Sequence, residues 1–373
     1  MSSTDAPQEC APGAPRDGLS NRAKWAILSA LALALVATLV AGAEWAIRAR
    51  QVRSYGTAAT VEQSYVVDPR INLRVPIANL RSGRIETNSL GFRGPEIPVQ
   101  KPQGTLRMAF LGASTTWCAE VSGNDKVWPH IVTEDLKRSF PEKSLDYVNG
   151  SVPGYTVKSS LKNLRYRVSP LRPDVIVIYH ATNDMSAELR QLAAAKGVAR
   201  DPLVEKPSWL AEHSLLWNLA EKNWRIWTAK RKAEANIGRL EFEPATLGEG
   251  FRRDLTELIS EAKQHAKVVA VATFSSQLRP DQGAEQQLRA SESALYYMPF
   301  MTPSSLVAAY ARYNQVIREV VAATGAVLVG GEDDIPGDPQ HFADSVHFTD
   351  DGSERMAMRV ASTLKPHVAS LPR

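Results

Sequence analysis

From residue 105 onward the chain alternates short apolar runs with longer amphipathic ones. The runs at 106–111 (LRMAFL), 145–149 (LDYVN), 174–180 (DVIVIYH), 267–273 (KVVAVAT) and 326–329 (AVLV) predict strands. Each is short, largely apolar and bounded by turn residues. Helical spacing predicts helices over 127–140, 157–168, 250–265, 303–324 and 350–364. Strands that alternate with helices and lack polar alternation belong to parallel sheets covered on both faces. The pattern therefore predicts an α/β domain with a central parallel sheet over 105–373. Residues 186–248 break the rhythm with a helical stretch carrying Trp209, Trp217, Trp224 and Trp227. An insertion after a strand's carboxyl end overhangs the mouth of the sheet, as a cap would. The aromatic patch LYYMPF at 295–300 follows another strand end and could close the same mouth. Packing of the insertion on its own domain is the alternative to substrate contact.

Upstream, residues 1–20 are rich in Ala, Pro, Gly and Ser without periodicity, which predicts a disordered tail. Residues 25–43 (WAILSALALALVATLVAGA) carry no charge and are long enough to span a bilayer. The span 21–47 therefore predicts a transmembrane anchor, with Trp25 and Trp45 suited to the two interfaces. Ala41-Gly42-Ala43 also fits a signal-peptidase site, so a cleaved signal is the rival reading. Arg16, Arg22 and Lys24 on one side match Arg48, Arg50 and Arg53 on the other, so charge alone does not orient the span. Residues 48–104 predict an extended segment lying against the main domain, with too few apolar residues for a core of its own.

Composition narrows the picture only slightly. A chain of 373 residues with 44% hydrophobic and 23% charged content supports one large core with additions. A net charge of +4, spread along the chain without a nucleic-acid motif, gives no reason to expect a nucleic-acid partner. Cys10 and Cys118 lie on opposite sides of the apolar span, which argues against a structural disulfide. Oligomeric state is not legible.

Candidate chemistry sits in four loops after predicted strand ends. Ser114 stands in Gly112-Ala113-Ser114-Thr115-Thr116, where a strand turns into a helix. There a hydroxyl reaches the rim of the sheet, where open α/β folds bind ligands. Gly154, in NGSVPGYT, could present a bare N–H, and Asn183, in HATND, could donate its side-chain amide. Asp344 and His347, in DSVHFT, are spaced so that a carboxylate can orient an imidazole. Each residue has a plain alternative as a helix cap, a turn residue or a surface residue. Together they form the set that acyl transfer from an ester requires. Ser114 attacks, His347 moves the proton and Asp344 fixes the tautomer. The N–H groups of Ser114 and Gly154 and the amide of Asn183 face the oxyanion. His341 and the acids near it lack metal-site spacing, so no metal or cofactor is expected. Cys118 reads as a small buried hydrophobe.

Ser114, Gly154, Asn183 and His347 match the four residues that name the SGNH hydrolase superfamily, the GDSL-like lipases and esterases. Asp344 to His347 matches its D-x-x-H. The resemblance covers about residues 85–365. It departs at G-A-S-T-T for G-D-S-L and at A-T-N-D for the usual G-x-N-D, where Ala181 adds a methyl group beside the site. The resemblance implies a flavodoxin-like three-layer α/β/α sandwich and ester hydrolysis without metal. Asn88-Ser89-Leu90-Gly91-Phe92-Arg93 and the apolar stretch ending at Glu44 are similar to segments of membrane-anchored bacterial members. By that likeness the catalytic domain is expected on the periplasmic or extracytoplasmic side, and secreted if the signal is cut. The expected function is a serine esterase that removes small acyl groups, such as acetyl, from an envelope or extracellular glycan. Two alternatives stay open: an O-acyltransferase with the same triad, and a catalytically silent module that binds a glycan or partner.

Overall fold

The structure, a computed structural model, describes residues 20–55, 64–199, 208–235 and 238–372. All but the last residue of the predicted N-terminal tail, and residues 200–207 and 236–237 of the insertion, lie outside the described residues. The chain divides into two compact units, Met1–Ile47 and Arg48–Arg373.

The first described element, α1, covers Asn21–Tyr55. Its Ala- and Leu-rich sequence favours helix strongly. The stretch Asn21–Arg53 is long and apolar enough to cross a membrane, with a mean hydropathy of 2.4 and none of its most apolar window buried. Leu28, Leu31, Leu35 and Leu39 are all exposed. A helix that is apolar all round belongs in a core or in a bilayer. This one, outside the core, suits a membrane anchor or a signal sequence.

The second unit opens with two small antiparallel hairpins. Strands β1 (Tyr65–Asp68) and β2 (Leu73–Pro76) form the first, and β3 (Arg81–Ser82) and β4 (Ile85–Glu86) the second. The segment that follows enters the main core through Phe92 and Ile97. Then come β5 (Thr105–Gly112), α2 (Ser114–Trp117), α3 (Trp128–Ser139), β6 (Ser144–Asn149) and α4 (Val157–Asn163). Strand β7 (Val175–Tyr179) leads to α5 (Thr182–Ala195), α6 (Trp209–His213), α7 (Leu215–Glu234) and α8 (Glu249–His265). The chain ends with β8 (Val268–Ala272), α9 (Ala284–Ala290), α10 (Glu292–Tyr297), α11 (Pro303–Thr324), β9 (Val327–Val329) and α12 (Asp350–Ala369).

Five strands make one all-parallel sheet in the order β6-β5-β7-β8-β9. Every residue of β5, β7 and β8 is buried, which is why these runs read as unbroken apolar segments. Right-handed crossovers then fix the layers. The step from β5 to β6 runs one way along the sheet, and the later steps run the other way. Their helices therefore cover opposite faces. Accordingly α3 packs with α12, while α8 packs with both α4 and α11. The result is the α/β/α sandwich, and its strand order reverses between β5 and β7. Ligands of such sheets bind outside the carboxyl ends at that reversal.

The insertion is helical. Its first residues continue α5, which starts at Thr182, so the boundary at 186 falls inside that helix. Helix α7 packs on α10 and carries the ion pair Lys230 Nζ–Glu292 Oε1 at 2.6 Å. Its buried residues are Ala229 and Ala233. Trp209, Trp217, Trp224 and Trp227 are exposed, and the last two stack at 5.1 Å. The insertion thus docks through small residues and leaves its tryptophans outside.

Candidate active site

The sheet reversal places four loops together, and Ser114 belongs to the tightest of them. Strand β5 ends at Gly112, and Ser114 begins the short helix α2. A Cβ on Gly112 would lie 2.7 Å from Thr116 Cβ and 3.0 Å from Tyr179 O, so only glycine lets the strand turn this sharply. Cys118, in the left-handed region at φ 55°, stops the helix after one turn. Its thiol is buried against Thr115 O at 3.3 Å, and burial pushes it up to about 12, which leaves it un-ionised at neutral pH.

Arg93 holds this turn from the other side. Asn88 Oδ1 accepts from the N–H groups of Leu90 and Phe92 at 3.0 Å, and this Asx turn buries both Phe92 and Arg93. Arg93 Nη1 donates to Trp117 O and Cys118 O, both at 2.6 Å, satisfying carbonyls at the end of α2. Nε donates to Asn124 Oδ1 at 2.8 Å and Nη2 to Arg84 O at 2.9 Å.

His347 and Asp344 lie in the loop between β9 and α12. The Asp344 carboxylate accepts from the backbone N–H groups of Val346 (2.9 Å) and His347 (3.0 Å). This local turn explains the three-residue spacing, because it folds the carboxylate back towards its own imidazole. Both Asp344 oxygens lie 2.9 Å from His347 Nδ1, and His347 Nε2 lies 2.8 Å from Ser114 Oγ. A carboxylate at Nδ1 assigns the proton there and leaves Nε2 as acceptor for the serine hydroxyl. Burial raises the Asp344 pKa, but the His347 hydrogen bond and charge and the two N–H groups outweigh it and hold the group at about 2. For His347, burial pushes downward. The Asp344 hydrogen bond, the charge of Glu120 and the charge of Asp344 carry it up to about 9. The arrangement can deprotonate a serine hydroxyl and hold the resulting imidazolium.

The donor side is built from the loop after β6 and the start of α5. Gly150 N donates to Phe110 O (2.9 Å) and Val152 N to Gly112 O (3.3 Å), so this loop runs along the end of β5. Gly154 has φ 83° and Arg74 Nη2 3.0 Å from where a Cβ would stand. Asn183 Nδ2 donates to Tyr155 O at 2.9 Å, tying α5 to the residue after Gly154 and leaving its second amide hydrogen. Among the described residues the N–H groups of Ser114 and Gly154 meet no backbone acceptor. Ala113 packs with Val152 and Tyr155, with Tyr65 and Leu73 of the first hairpin against them. Asp184 accepts from Val157 N at 3.1 Å, and burial first, against that hydrogen bond, raises it to about 7.

Sequence reasoning passed over two charged side chains at this site, Arg93 and Glu120. Glu120 closes the stretch that carries Ser114, and Arg93 stands in the NSLGFR segment; neither has a spacing that marks it. Asn149 was also passed over, and it donates to Thr116 O at 3.2 Å, steadying α2 from β6. Among the described residues no group of three or more His, Cys, Asp or Glu could hold a metal ion. His341 Nδ1 pairs with Asp338 Oδ1 at 2.8 Å.

The sequence profile of the GDSL-like lipase/acylhydrolase family matches residues 110–355, which include Ser114, Gly154, Asn183, Asp344 and His347. No curated protein sequence matches the chain. Among solved structures, an acetylxylan esterase from Geobacillus stearothermophilus is similar at 14% identity and a TM-score of 0.41, covering 69% of this chain and 94% of its own. The lipase/acylhydrolase from Enterococcus faecalis is similar at 16% identity and a TM-score of 0.40, covering 70% and 96%. An α/β hydrolase enzyme from the metagenome of Lake Arreo, Spain, is similar at 17% identity and a TM-score of 0.40, covering 69% and 94%.

Proposed function

Because the chain belongs to the GDSL-like lipase/acylhydrolase family and is an ester-bond hydrolase, we propose that it works through an acyl-Ser114 intermediate and removes small acyl groups from a glycan outside the cytoplasm. The observation that carries the catalytic part is the line Ser114 Oγ–His347 Nε2 at 2.8 Å and His347 Nδ1–Asp344 at 2.9 Å. His347 takes the hydroxyl proton as Ser114 adds to the ester carbonyl, and returns it to the leaving alcohol. Water then adds to the acyl-enzyme by the same route, and Asp344 holds the imidazolium each time. The N–H groups of Ser114 and Gly154 and the free amide hydrogen of Asn183 receive the oxyanion. Each such donor lowers the barrier by about 3–4 kcal/mol.

The glycan part rests on two features. A cleft of about 330 Å³ that reaches the site at Glu120 is lined by Arg84, Ser122, Gln340, Thr349, Asp350 and Asp351 as well. Carboxylate, amide and hydroxyl groups of this kind hydrogen-bond sugar hydroxyls, so they suit a polyhydroxylated alcohol better than a fatty one. The apolar helix α1 supports a membrane anchor, and the likeness of residues 88–93 to a segment of membrane-anchored bacterial members supports a catalytic domain outside the cytoplasm.

The test is hydrolysis of p-nitrophenyl acetate, butyrate and octanoate, and acetate release from an O-acetylated xylooligosaccharide, by the full chain in detergent. Acetate esters should be preferred. Ser114→Ala and His347→Ala should each lower kcat by about 10³-fold or more. Preference for octanoate would sink the small-acyl reading. An active Ser114→Ala protein would sink the acyl-serine.

A further inference from the structure

Beside the imidazole that Asp344 orients stands a second carboxylate. Glu120 Oε1 lies 4.0 Å from His347 Nδ1. Its side chain as a whole is 31% exposed, but Oε2 is buried and has no hydrogen-bond partner among the described residues. A carboxylate oxygen sealed from water without a donor is costly, and a neutral or apolar residue of that size would fill the space at lower cost. A compensating field must therefore come from nearby charge. Glu120 feels the charge of His347 and that of the buried guanidinium of Arg93, which among the described residues hydrogen-bonds carbonyl and amide oxygens and no carboxylate.

Resting on the reading that His347 is the base, we infer that Glu120 is a positioning residue. Its charge stabilises the His347 imidazolium through space, while Asp344 fixes the tautomer by direct hydrogen bonding. The groups that face this pair come from several elements. Asp344 and Ser114 flank His347, and Lys222 of α7 opposes its protonation. Arg93 and Asp344 face Glu120, and Tyr297 of α10 feels the charge of both carboxylates. Burial pushes the Glu120 carboxyl upward, the charge of His347 pulls it down, Asp344 raises it again, and its own backbone N–H and Arg93 lower it, which leaves it raised overall. Asp344 already accepts from two backbone N–H groups, which spread its charge. On Glu120 only its own backbone N–H draws on the carboxylate, and Oε2 has no donor among the described residues, so most of its charge is left to act on the ring.

The consequence is a trade between pH range and rate. A nearby negative charge keeps His347 protonated to higher pH and favours the imidazolium that forms as Ser114 attacks. Glu120→Gln keeps the volume and removes the charge. The midpoint of kcat/KM against pH should move down by about one pH unit, the size expected for an ion pair at this separation. Because the proton is only partly transferred in the transition state, the high-pH plateau should fall by less, about threefold, so the mutant and wild-type profiles cross.

The experiment measures p-nitrophenyl acetate hydrolysis by the full chain in detergent, from acid to mildly alkaline pH, for wild type, Glu120→Gln, Glu120→Asp and His347→Ala. Crossing profiles, with Glu120→Asp between the two, support the assignment. A Glu120→Gln profile that superimposes on wild type overturns it. A uniform loss at every pH with an unmoved midpoint also overturns it, and assigns Glu120 to packing. If His347→Ala stays active, the base itself is wrongly assigned, and that failure is separate from a flat Glu120→Gln result with an inactive His347→Ala protein.

Discussion

Arg93→Ala is the substitution that most directly tests how the serine is held. The wild-type guanidinium is buried and donates to four oxygens at 2.6–2.9 Å: Trp117 O, Cys118 O, Asn124 Oδ1 and Arg84 O. Hydrogen bonds from a charged donor contribute about 1.5–3 kcal/mol each, but burial of the guanidinium offsets much of the sum. Burial also lowers the Arg93 pKa, which shows the direction of that cost. Truncation leaves the Trp117 carbonyl sealed without a donor, at about 1–3 kcal/mol, and the Cys118 carbonyl with only the long 3.4 Å bond from Val121 N. A net loss of about 3–5 kcal/mol follows, or a Tm lower by about 6–10 °C at about 2 °C per kcal/mol for a domain of this size. Because those carbonyls end the helix that Ser114 begins, a shift of about 1 Å there should lower kcat about 10²-fold. Arg93→Lys keeps the charge but cannot reach four acceptors, so it should fall between. The assays are thermal unfolding by intrinsic fluorescence and, well below the midpoint, kcat with the rate of fluorophosphonate labelling. A wild-type Tm for Arg93→Ala would refute the energetics. A lowered Tm with unchanged kcat and labelling in both variants would refute the link to Ser114.

Two other perturbations read different parts of the molecule. Asp184 has its pKa raised from 3.8 to about 7, chiefly by burial. The folded form therefore binds more protons than the unfolded one between those values, and its stability falls as pH rises through that window, by at most about 4 kcal/mol. Asp184→Asn keeps an acceptor for Val157 N without the charge. Its Tm advantage over wild type should grow from about pH 4 to about pH 7 and then level off; parallel Tm curves would refute the assignment. In the insertion, Ala233→Leu should overpack α7 and lower stability by about 1–3 kcal/mol. Trp224→Ser, at a side chain 64% exposed, should change stability by about 0.5 kcal/mol or less. Circular-dichroism melts that rank the two the other way would place the tryptophans in the packing.

The parts of this molecule legible in the sequence are those set by local rules. Strands β5, β7 and β8 are buried on both faces, so each is an apolar run that needs no knowledge of its neighbours. Asp344 and His347 are legible for the same reason, since the turn that joins them is made by the residues between them. Arg93 is different. It bonds main-chain oxygens at sequence separations of 24 and 25, and a carbonyl has no residue identity to signal the contact. The tryptophans of α7 mislead in the opposite direction, because the packing face is made by Ala229 and Ala233, which no hydrophobic scale makes prominent. Residues 48–104 read as an attached segment because their apolar content is low. What binds them is a few buried anchors, Phe92 and Ile97 in the core and Arg93 under the serine helix.

Those anchors alter how the site's charges are to be understood. Taken singly, Arg93 is a buried cation without a carboxylate bonded to it, and Glu120 holds a buried oxygen without a donor. Each would be a poor choice for stability alone. Taken together with His347 and Asp344 they alternate in sign once the imidazole is protonated: Arg93, Glu120, His347, Asp344. That state arises each time Ser114 gives up its proton. In the neutral-imidazole form that reacts the alternation is incomplete, and the attack that creates the imidazolium restores it, so the attacking step is favoured over that reactive form. The segment before the sheet is then part of the reaction's electrostatics, since it supplies the cation at one end of the line.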